Sequence, residues 1–247
     1  KAIVTCGVSG LGLAVVKHLL ANGGRAVMLD VNDEAGAAMS ETTGTPYIHT
    51  DVTSEAAVVD ALDEAAGHMG GLNVAVNCAG ILGAGRVLGR EAPMPLDFFA
   101  TTVNVNLVGS FNVAKAAASR MQHNEAGEDG ERGVIINTAS VAAYEGQIGQ
   151  AAYSASKAGL VGMTLPMARE LSRFGIRVMT IAPGIFWTPM VDGMPEHVQE
   201  SLSASIPFPS RLGQPGEFAE LAGHIIESTY LNGTTIRLDG AVRLAPK

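Results

Sequence analysis

Tyr153 and Lys157 stand four positions apart at the start of a helical pattern, so their side chains share one helix face. A tyrosine hydroxyl titrates near ~10 and is a weak base at neutral pH. A neighbouring ammonium stabilises the phenolate and lowers that value. Taken alone, the pair reads equally well as a surface tyrosine and a solvated lysine. Ser140 shifts the balance. It follows the buried-looking run Val134–Thr138, thirteen residues before Tyr153. From there its hydroxyl could hold a substrate oxygen beside the phenol and stabilise charge developing on it. No base partner and no Gly-x-Ser-x-Gly elbow surrounds Ser140, which argues against a serine-nucleophile hydrolase. The histidines His18, His49, His68, His123, His197 and His224 lack metal-ligand spacing, so no metal is expected.

A second chemistry sits near the start of the chain. The first apolar run ends in Thr5-Cys6-Gly7-Val8-Ser9-Gly10-Leu11-Gly12, and a helical pattern follows. Glycines between a strand and a helix let backbone approach a pyrophosphate, and the helix start then offers free N–H groups to it. Ser9, Gly10, Leu11 and Gly12 are the candidate cradle. Asp30 ends the second apolar run, about twenty residues on. A carboxylate there accepts hydrogen bonds from adenosine ribose hydroxyls and repels a 2′-phosphate. No Lys or Arg flanks it within Val27–Glu34, which favours NAD over NADP. Asp51 and Val52 follow the third run, and Asn77, Cys78, Ala79 and Gly80 follow the fourth. Each is ordinary turn sequence by itself. Together they lie where ligands gather in an open parallel sheet, with small residues that let the chain pass close to an adenosine.

These groups need a frame, and the chain alternates short apolar runs with longer helical patterns. Ala2–Thr5, Arg25–Asp30, Pro46–His49, Leu72–Asn77, Gly133–Thr138, Ile176–Ile181 and Thr234–Leu238 read as strands, several apolar throughout, as strands covered on both faces are. Gly10–Asn22, Ser54–Met69, Leu96–Met121, Ala152–Phe174 and Pro215–Ser228 read as helices. The alternation predicts an α/β fold with a doubly wound parallel seven-stranded sheet and helices on both faces, in one domain over residues 1–247. Gln122–Arg132 is polar and reads as an exposed insertion. Residues 184–213 are too long for a tight connection and read as a lid over substrate. Its Phe186, Trp187, Met190, Val191, Met194, Leu202, Ile206 and Phe208 suit either an apolar pocket or plain core packing.

The composition excludes several classes. Hydrophobic residues make up 47% of the 247, enough to offset the ordering entropy that keeps polar chains unfolded. A net charge of −8 without a polybasic run argues against a nucleic-acid partner. Uncharged stretches are broken by Asn, Gly or Pro, which argues against a membrane span. No signal-like segment opens the sequence, and two cysteines are too few for a disulfide framework. The expectation is a reducing compartment, a bacterial cytosol or a mitochondrial matrix, rather than secretion.

The order Thr5-x-x-x-x-Gly10-x-Gly12, Asp30, Asp51-Val52, Asn77-x-Ala79-Gly80, Asn106, Ser140, Tyr153-x-x-x-Lys157 and Pro183-Gly184 spans nearly the whole chain. It resembles the short-chain dehydrogenase/reductase family. The stretches at 133–143, 146–157 and 207–213, and the insertion at 122–132, resemble the branch acting on 3-hydroxyacyl-CoA thioesters and hydroxysteroids. The resemblance implies a Rossmann-type fold and NAD-dependent interconversion of a secondary alcohol and a ketone, in a homotetramer. It makes Tyr153 the general acid/base, with Lys157 lowering its pKa and holding the nicotinamide ribose. Ser140 would orient the substrate oxygen, and Asn106 would hold a water in a proton relay. Pro183, Gly184, Thr188 and the backbone near Phe186 would flank the nicotinamide. Gln147 and Gln150 would line the substrate pocket. A CoA ester also wants cations for its phosphates, and Arg86 and Arg90 are the nearby candidates. Two rival readings stand beside this one. A 3-oxoacyl carrier-protein reductase fits poorly, since Asp30 disfavours its usual NADPH. A non-catalytic dinucleotide sensor or scaffold fits poorly with an intact Ser140, Tyr153, Lys157 and Asn106 set. One position departs from the family pattern: Cys6 stands where the first glycine belongs. Its side chain is expected to crowd the turn, with Gly7 absorbing the strain. The family's strand order brings Cys6 near Cys78, and free thiols are expected there ahead of a bridge.

Overall fold

Apolar runs without polar alternation form strands buried on both faces. β1 (Ala2–Thr5), β2 (Ala26–Asp30), β3 (Tyr47–His49), β4 (Val74–Asn77), β5 (Gly133–Thr138), β6 (Ile176–Pro183) and β7 (Thr235–Leu238) pair in parallel, in the order β3-β2-β1-β4-β5-β6-β7. All seven lie where the sequence reading puts them, with bounds shifted by two residues at most. The computed structural model describes residues 1–193 and 195–246, Met190 by its backbone only. Successive side chains leave a strand on opposite faces, so each strand feeds two cores. Ile3, Val27, Leu29, Ala75 and Ile135 enter one, and Val4, Met28, Val76 and Ile136 the other.

The helices are α1 (Gly10–Ala21), α2 (Asp33–Thr43), α3 (Glu55–Met69), α4 (Leu96–Val103), α5 (Gly109–Met121), α6 (Ala151–Leu171), α7 (Pro189–Asp192), α8 (Glu196–Ala204) and α9 (Pro215–Glu227). α1 and α9 cover one face with Val15, Val16, Phe218 and Ile225, while α3 and α5 cover the other with Leu62, Val113 and Met121. Each fully buried side chain of this size stabilises the fold by about 1.5–3 kcal/mol. No apolar stripe announces α2. Its signals are caps instead: the Asn32 side chain accepts from Ala35 N at 3.0 Å, Asp33 and Glu34 occupy the first turn, and Gly44 closes the helix at φ +67°.

The continuous helix expected over Leu96–Met121 is divided. A π-helical turn, Asn104–Val108, separates α4 from α5. Such a turn inserts a residue into the helical register and re-aims the side chains around it, and here Asn106 is fully buried. The insertion at 122–132 folds as a pinned loop. Asn124 Nδ2 donates to Leu72 O and Arg132 O at 2.7 and 2.8 Å, holding the loop at the strand ends opposite the candidate site.

The segment at 184–213 carries α7 and α8, and most of its apolar residues pack inward. Val191 and Ile206 are buried with Leu212 and Val242, and Trp187 and Leu202 lean on them. Phe186 packs edge-on against Phe218, with ring centroids 6.5 Å apart. Of the two readings of these residues, core packing describes Trp187, Val191, Leu202 and Ile206 in the segment's own small core and Phe186 on the sheet core. Phe208 is 84% exposed. Met194 and the side chain of Met190 lie outside the described residues.

Candidate active site

In a parallel sheet the loops that carry chemistry emerge at the carboxyl ends of the strands, and a crevice opens where the strand order reverses. Here β1 has β2 on one side and β4 on the other. The turn after β1 and the loop after β4 flank that crevice, and Thr5 joins them: its Oγ1 accepts from both Cys78 N and Ala79 N at 3.0 Å.

The glycine turn is close-packed. A Cβ on Gly12 would stand 2.2 Å from Cys6 O, so only glycine brings α1 this near to β1. Gly10 has φ +51° and lies against Thr188 and Pro189, so the turn touches the segment at 184–213. Ser9 precedes α1 with extended backbone and no side-chain cap bond, and Leu11 is half-buried. The first turn of α1 thus keeps donors for an anion.

At the end of β2, Asp30 Oδ1 accepts from Val31 N and Asn32 N at 2.8 and 3.2 Å. Its Oδ2 is buried with no partner among the described residues. A buried carboxylate oxygen without a donor is costly, and the vicinal hydroxyls of a ribose are donors of the kind it lacks. Glycine turn and carboxylate together fit a dinucleotide, with Ser9 to Gly12 on the phosphates and Asp30 on the adenosine ribose.

Cys6 alters this cradle. It adopts φ +51° itself, while Gly7 does not; Gly7 is required for another reason, a Cβ there falling 2.8 Å from Val4 O. The expectation that Gly7 absorbs the strain is therefore corrected. The Cys6 thiol lies near Ser9 and Asp30, and burial followed by the Asp30 charge pushes its pKa up. Cys6 and Cys78 are both free thiols. A non-glycine residue in the left-handed region costs about 1–2 kcal/mol, and glycine's own entropy cost is about 0.5–1 kcal/mol. Cys6→Gly should therefore raise the melting temperature by about 1–3 °C at this chain length. A lower value in a thermal melt would mean that the thiol's contacts outweigh the strain.

The other sequence candidates divide into those facing the crevice and those committed elsewhere. Asn77 is buried, and its amide donates to Ser110 O at 3.2 Å and to Asn137 Oδ1 at 2.9 Å. Its side-chain amide ties β4 to β5 and α5. Asp51 Oδ1 accepts from Thr53 N and Oγ1, which holds the turn after β3. Val52 is buried beneath Gly109. Pro183 ends β6, and Gly184 N donates to Leu238 O. Thr188 precedes α7, its carbonyl accepting from Val191 N and Asp192 N.

The proton-transfer residues converge. Ser140 follows β5 in extended backbone, and its Oγ accepts from Ala142 N at 3.1 Å. The Ser140 hydroxyl lies close enough to the Tyr153 phenol to favour its ionised form. Burial raises the Tyr153 pKa, and the Ser140 hydroxyl opposes that rise. Lys157 is buried one turn along α6, its Nζ 5.7 Å from the Tyr153 ring centroid. Burial brings its ammonium down to about 8. Among the described residues Nζ donates to Thr138 O at 2.7 Å, which fixes the ammonium beside the Tyr153 ring. Gly80 lies between Lys157 and Asn106: a Cβ there would sit 3.4 Å from Lys157 Nζ and 3.2 Å from Asn106 Oδ1. Asn106 is held at three points, donating to Ile81 O and Ser156 Oγ and accepting from Ile81 N. Ser156 Oγ in turn donates to Tyr153 O at 2.7 Å. Gln147 and Gln150 bond to each other in the turn before α6, and Gln147 Nε2 also donates to Ala245 O.

Ile81, Thr138 and Ser156 belong to this site and were not singled out from sequence, and Thr5 was read only as the start of the glycine motif. Ile81 and Thr138 contribute backbone groups, which no residue type announces. Ser156 adjoins Lys157, and that adjacency was the one available signal.

Comparison with known proteins agrees. Residues 1–199 match the family described as short chain dehydrogenase. The human 3-hydroxyacyl-CoA dehydrogenase type-2 is 52% identical over 99% of this chain and 95% of that protein. The Ips pini ipsdienol dehydrogenase is 36% identical over 98% of this chain and 96% of its own. The crystal structure of 3-hydroxyacyl-CoA dehydrogenase type-2 from Mycobacterium avium superposes with a TM-score of 0.96 at 43% identity, covering 100% of this chain and 97% of that one.

Proposed function

The chain belongs to the short-chain dehydrogenase family, and on that footing we propose that it uses NAD to interconvert a 3-hydroxyacyl-CoA and the corresponding 3-ketoacyl-CoA. The observation that carries this reading is the convergence of Ser140, Tyr153 and buried Lys157, with Nζ 5.7 Å from the Tyr153 ring centroid, on the crevice that the glycine turn flanks. The thioester rather than another alcohol is supported by identity to relatives named for that reaction.

In the oxidative direction Tyr153, as phenolate, takes the proton of the substrate hydroxyl. Ser140 holds the same oxygen and steadies its charge. A bound nicotinamide supplies the hydride acceptor. Lys157 and Thr188 would hold it, with Asp30 and the turn at Ser9–Gly12 on the adenosine half. An ammonium with a pKa of about 8 changes protonation close to working pH, so Lys157 can pass a proton on to a water that Asn106 would hold. Hydroxyls other than those of thioesters, steroids included, form the comparison set.

The test is a kcat/KM panel of acetoacetyl-CoA, branched 3-hydroxyacyl-CoAs and hydroxysteroids with NAD and NADP. The expected result is NAD over NADP and thioesters over steroids. Preference for NADPH with an acyl carrier-protein thioester would assign the rival reductase reading, and no turnover on any arm would leave a dinucleotide sensor. Ser140→Ala is expected to lower kcat by about 10²–10³-fold. Because the Ser140 hydroxyl lowers the Tyr153 pKa, removing it should also move the alkaline-rising limb of the oxidation profile to higher pH. A rate–pH series showing an unmoved limb would separate Ser140 from the acidity of Tyr153.

The assembly we propose is a homotetramer built on α4, α5 and α6, supported by the exposed apolar residues Phe98, Phe111 and Leu165 on those helices. The two free thiols suit a reducing compartment, cytosol or mitochondrial matrix. No helix among the described residues is long and apolar enough to cross a membrane.

A further inference from the structure

Between the loop after β4 and the turn leading into α6 lies a cavity of about 420 Å³, lined by Arg86, Val87, Leu88, Ile148 and Gly149. Gly85 N donates to Gly149 O at 2.7 Å and binds the two loops together. Gly149 has φ +92°, a conformation that side chains rarely adopt, so a glycine makes this junction. The far wall is held as well. Leu88 bridges antiparallel to Pro93, and Met94 N donates to Val87 O at 2.9 Å, so 87–94 is a folded arm. The turn that lines the cavity also carries Gln147 and Gln150 and runs into the helix bearing Tyr153. The cavity therefore adjoins the substrate side of the site.

Its lining has two chemistries. Val87, Leu88 and Ile148 are large apolar side chains left 54–74% exposed. Arg86 adds a cation. The ion pairs of the described residues use Arg120, Arg177, Arg211, Arg237 and Arg243, and neither Arg86 nor Arg90 enters one. In a chain of net charge −8, unpaired guanidinium groups at the mouth of a site are the local exception to a field that repels anions. A guanidinium matches phosphate oxygens in a fork.

We propose that this cavity is a subsite for the phosphorylated nucleotide end of an acyl-CoA, with Arg86 on a phosphate and Val87, Leu88 and Ile148 against the apolar parts of the arm. The inference rests on the thioester reading above and adds what that reading lacks, a place for the charge of the carrier. An uncharged alcohol needs apolar surface but no cation. Arg90 is the lesser contributor, because Glu91 follows it.

The test compares acetoacetyl-CoA with acetoacetyl-N-acetylcysteamine, the same reacting group without the nucleotide, in the full chain with NADH. The wild type is expected to favour the CoA ester in kcat/KM, and added salt should erode that preference. R86E is expected to reduce the ratio between the two thioesters about tenfold or more, chiefly through the KM for acetoacetyl-CoA, with R86Q intermediate. An unchanged ratio in both variants, or a wild type indifferent to the nucleotide, overturns the subsite. A wild type inactive on both thioesters but active on a hydroxysteroid overturns the thioester reading itself, and the subsite with it.

Discussion

Tyr153→Phe is expected to lower kcat by about 10²–10⁴-fold, the range that a positioned general acid/base contributes, while NADH binds nearly as before. The substitution removes one oxygen and keeps the ring, so the packing at the start of α6 survives. Nothing in reach replaces the lost group. The Ser140 hydroxyl is far less acidic than a phenol, and Lys157 points its ammonium at Thr138 O. Steady-state rates beside a fluorescence titration with NADH separate the two effects. Substantial residual turnover would remove Tyr153 from the mechanism proposed here, whereas weakened NADH binding with normal kcat would recast it as a cofactor ligand.

Gly12→Ala tests the cradle with comparable force. The added Cβ would stand 2.2 Å from Cys6 O, 2.8 Å from Cys6 C and 3.1 Å from Thr5 O. All three are backbone atoms, so no side chain can swing aside. The first turn of α1 must move off the end of β1, and misplacement by about 1 Å at a site of this kind can cost 10²-fold. The expected outcome is an NADH dissociation constant raised about 10²-fold, with about 1–3 kcal/mol lost from stability through overpacking. Gly67→Ala is the control. Gly67 lies inside α3 with open space where its Cβ would go, so alanine should leave NADH binding unaltered and gain the helix propensity that glycine lacks. Equal effects from the two substitutions would mean that the close contact at Gly12 does not position the phosphate site.

Much of this protein is legible along the chain because two of its signals are local. Short runs as apolar as Ala2–Val4 and Ala26–Leu29 read as strands covered on both faces, and helical patterns between them point to parallel pairing. The motif residues sit at strand ends because chain order places them there. Asp30 follows the second run and Ser140 the fifth. Thus the seven strands, the glycine turn and the candidates Ser140, Tyr153 and Lys157 are readable without coordinates, while Asn106 enters only through resemblance to a family. α2 escaped because a helix of Asp, Glu, Ala, Ser and Thr carries no apolar stripe, and its capping residues are weak evidence in isolation.

What only the tertiary structure decided are matters of direction and partnership. Apolar residues at 184–213 have the same composition whether they line a pocket or pack on Val242, and only the fold brings Val242 beneath them. The amide of Asn77 ties β4 to β5 and α5 because Asn137 and Ser110 O arrive within hydrogen-bond reach of it. The strain of the glycine turn rests on Cys6 because backbone torsions, which residue order does not encode one by one, put φ +51° there. The ammonium of Lys157 is aimed by a β5 carbonyl, Thr138 O, which no residue type announces. Residue type and order dictate which groups are available and on which element they ride. The aim of a side chain depends on which distant backbone groups arrive beside it, and that is settled only when the sheet closes.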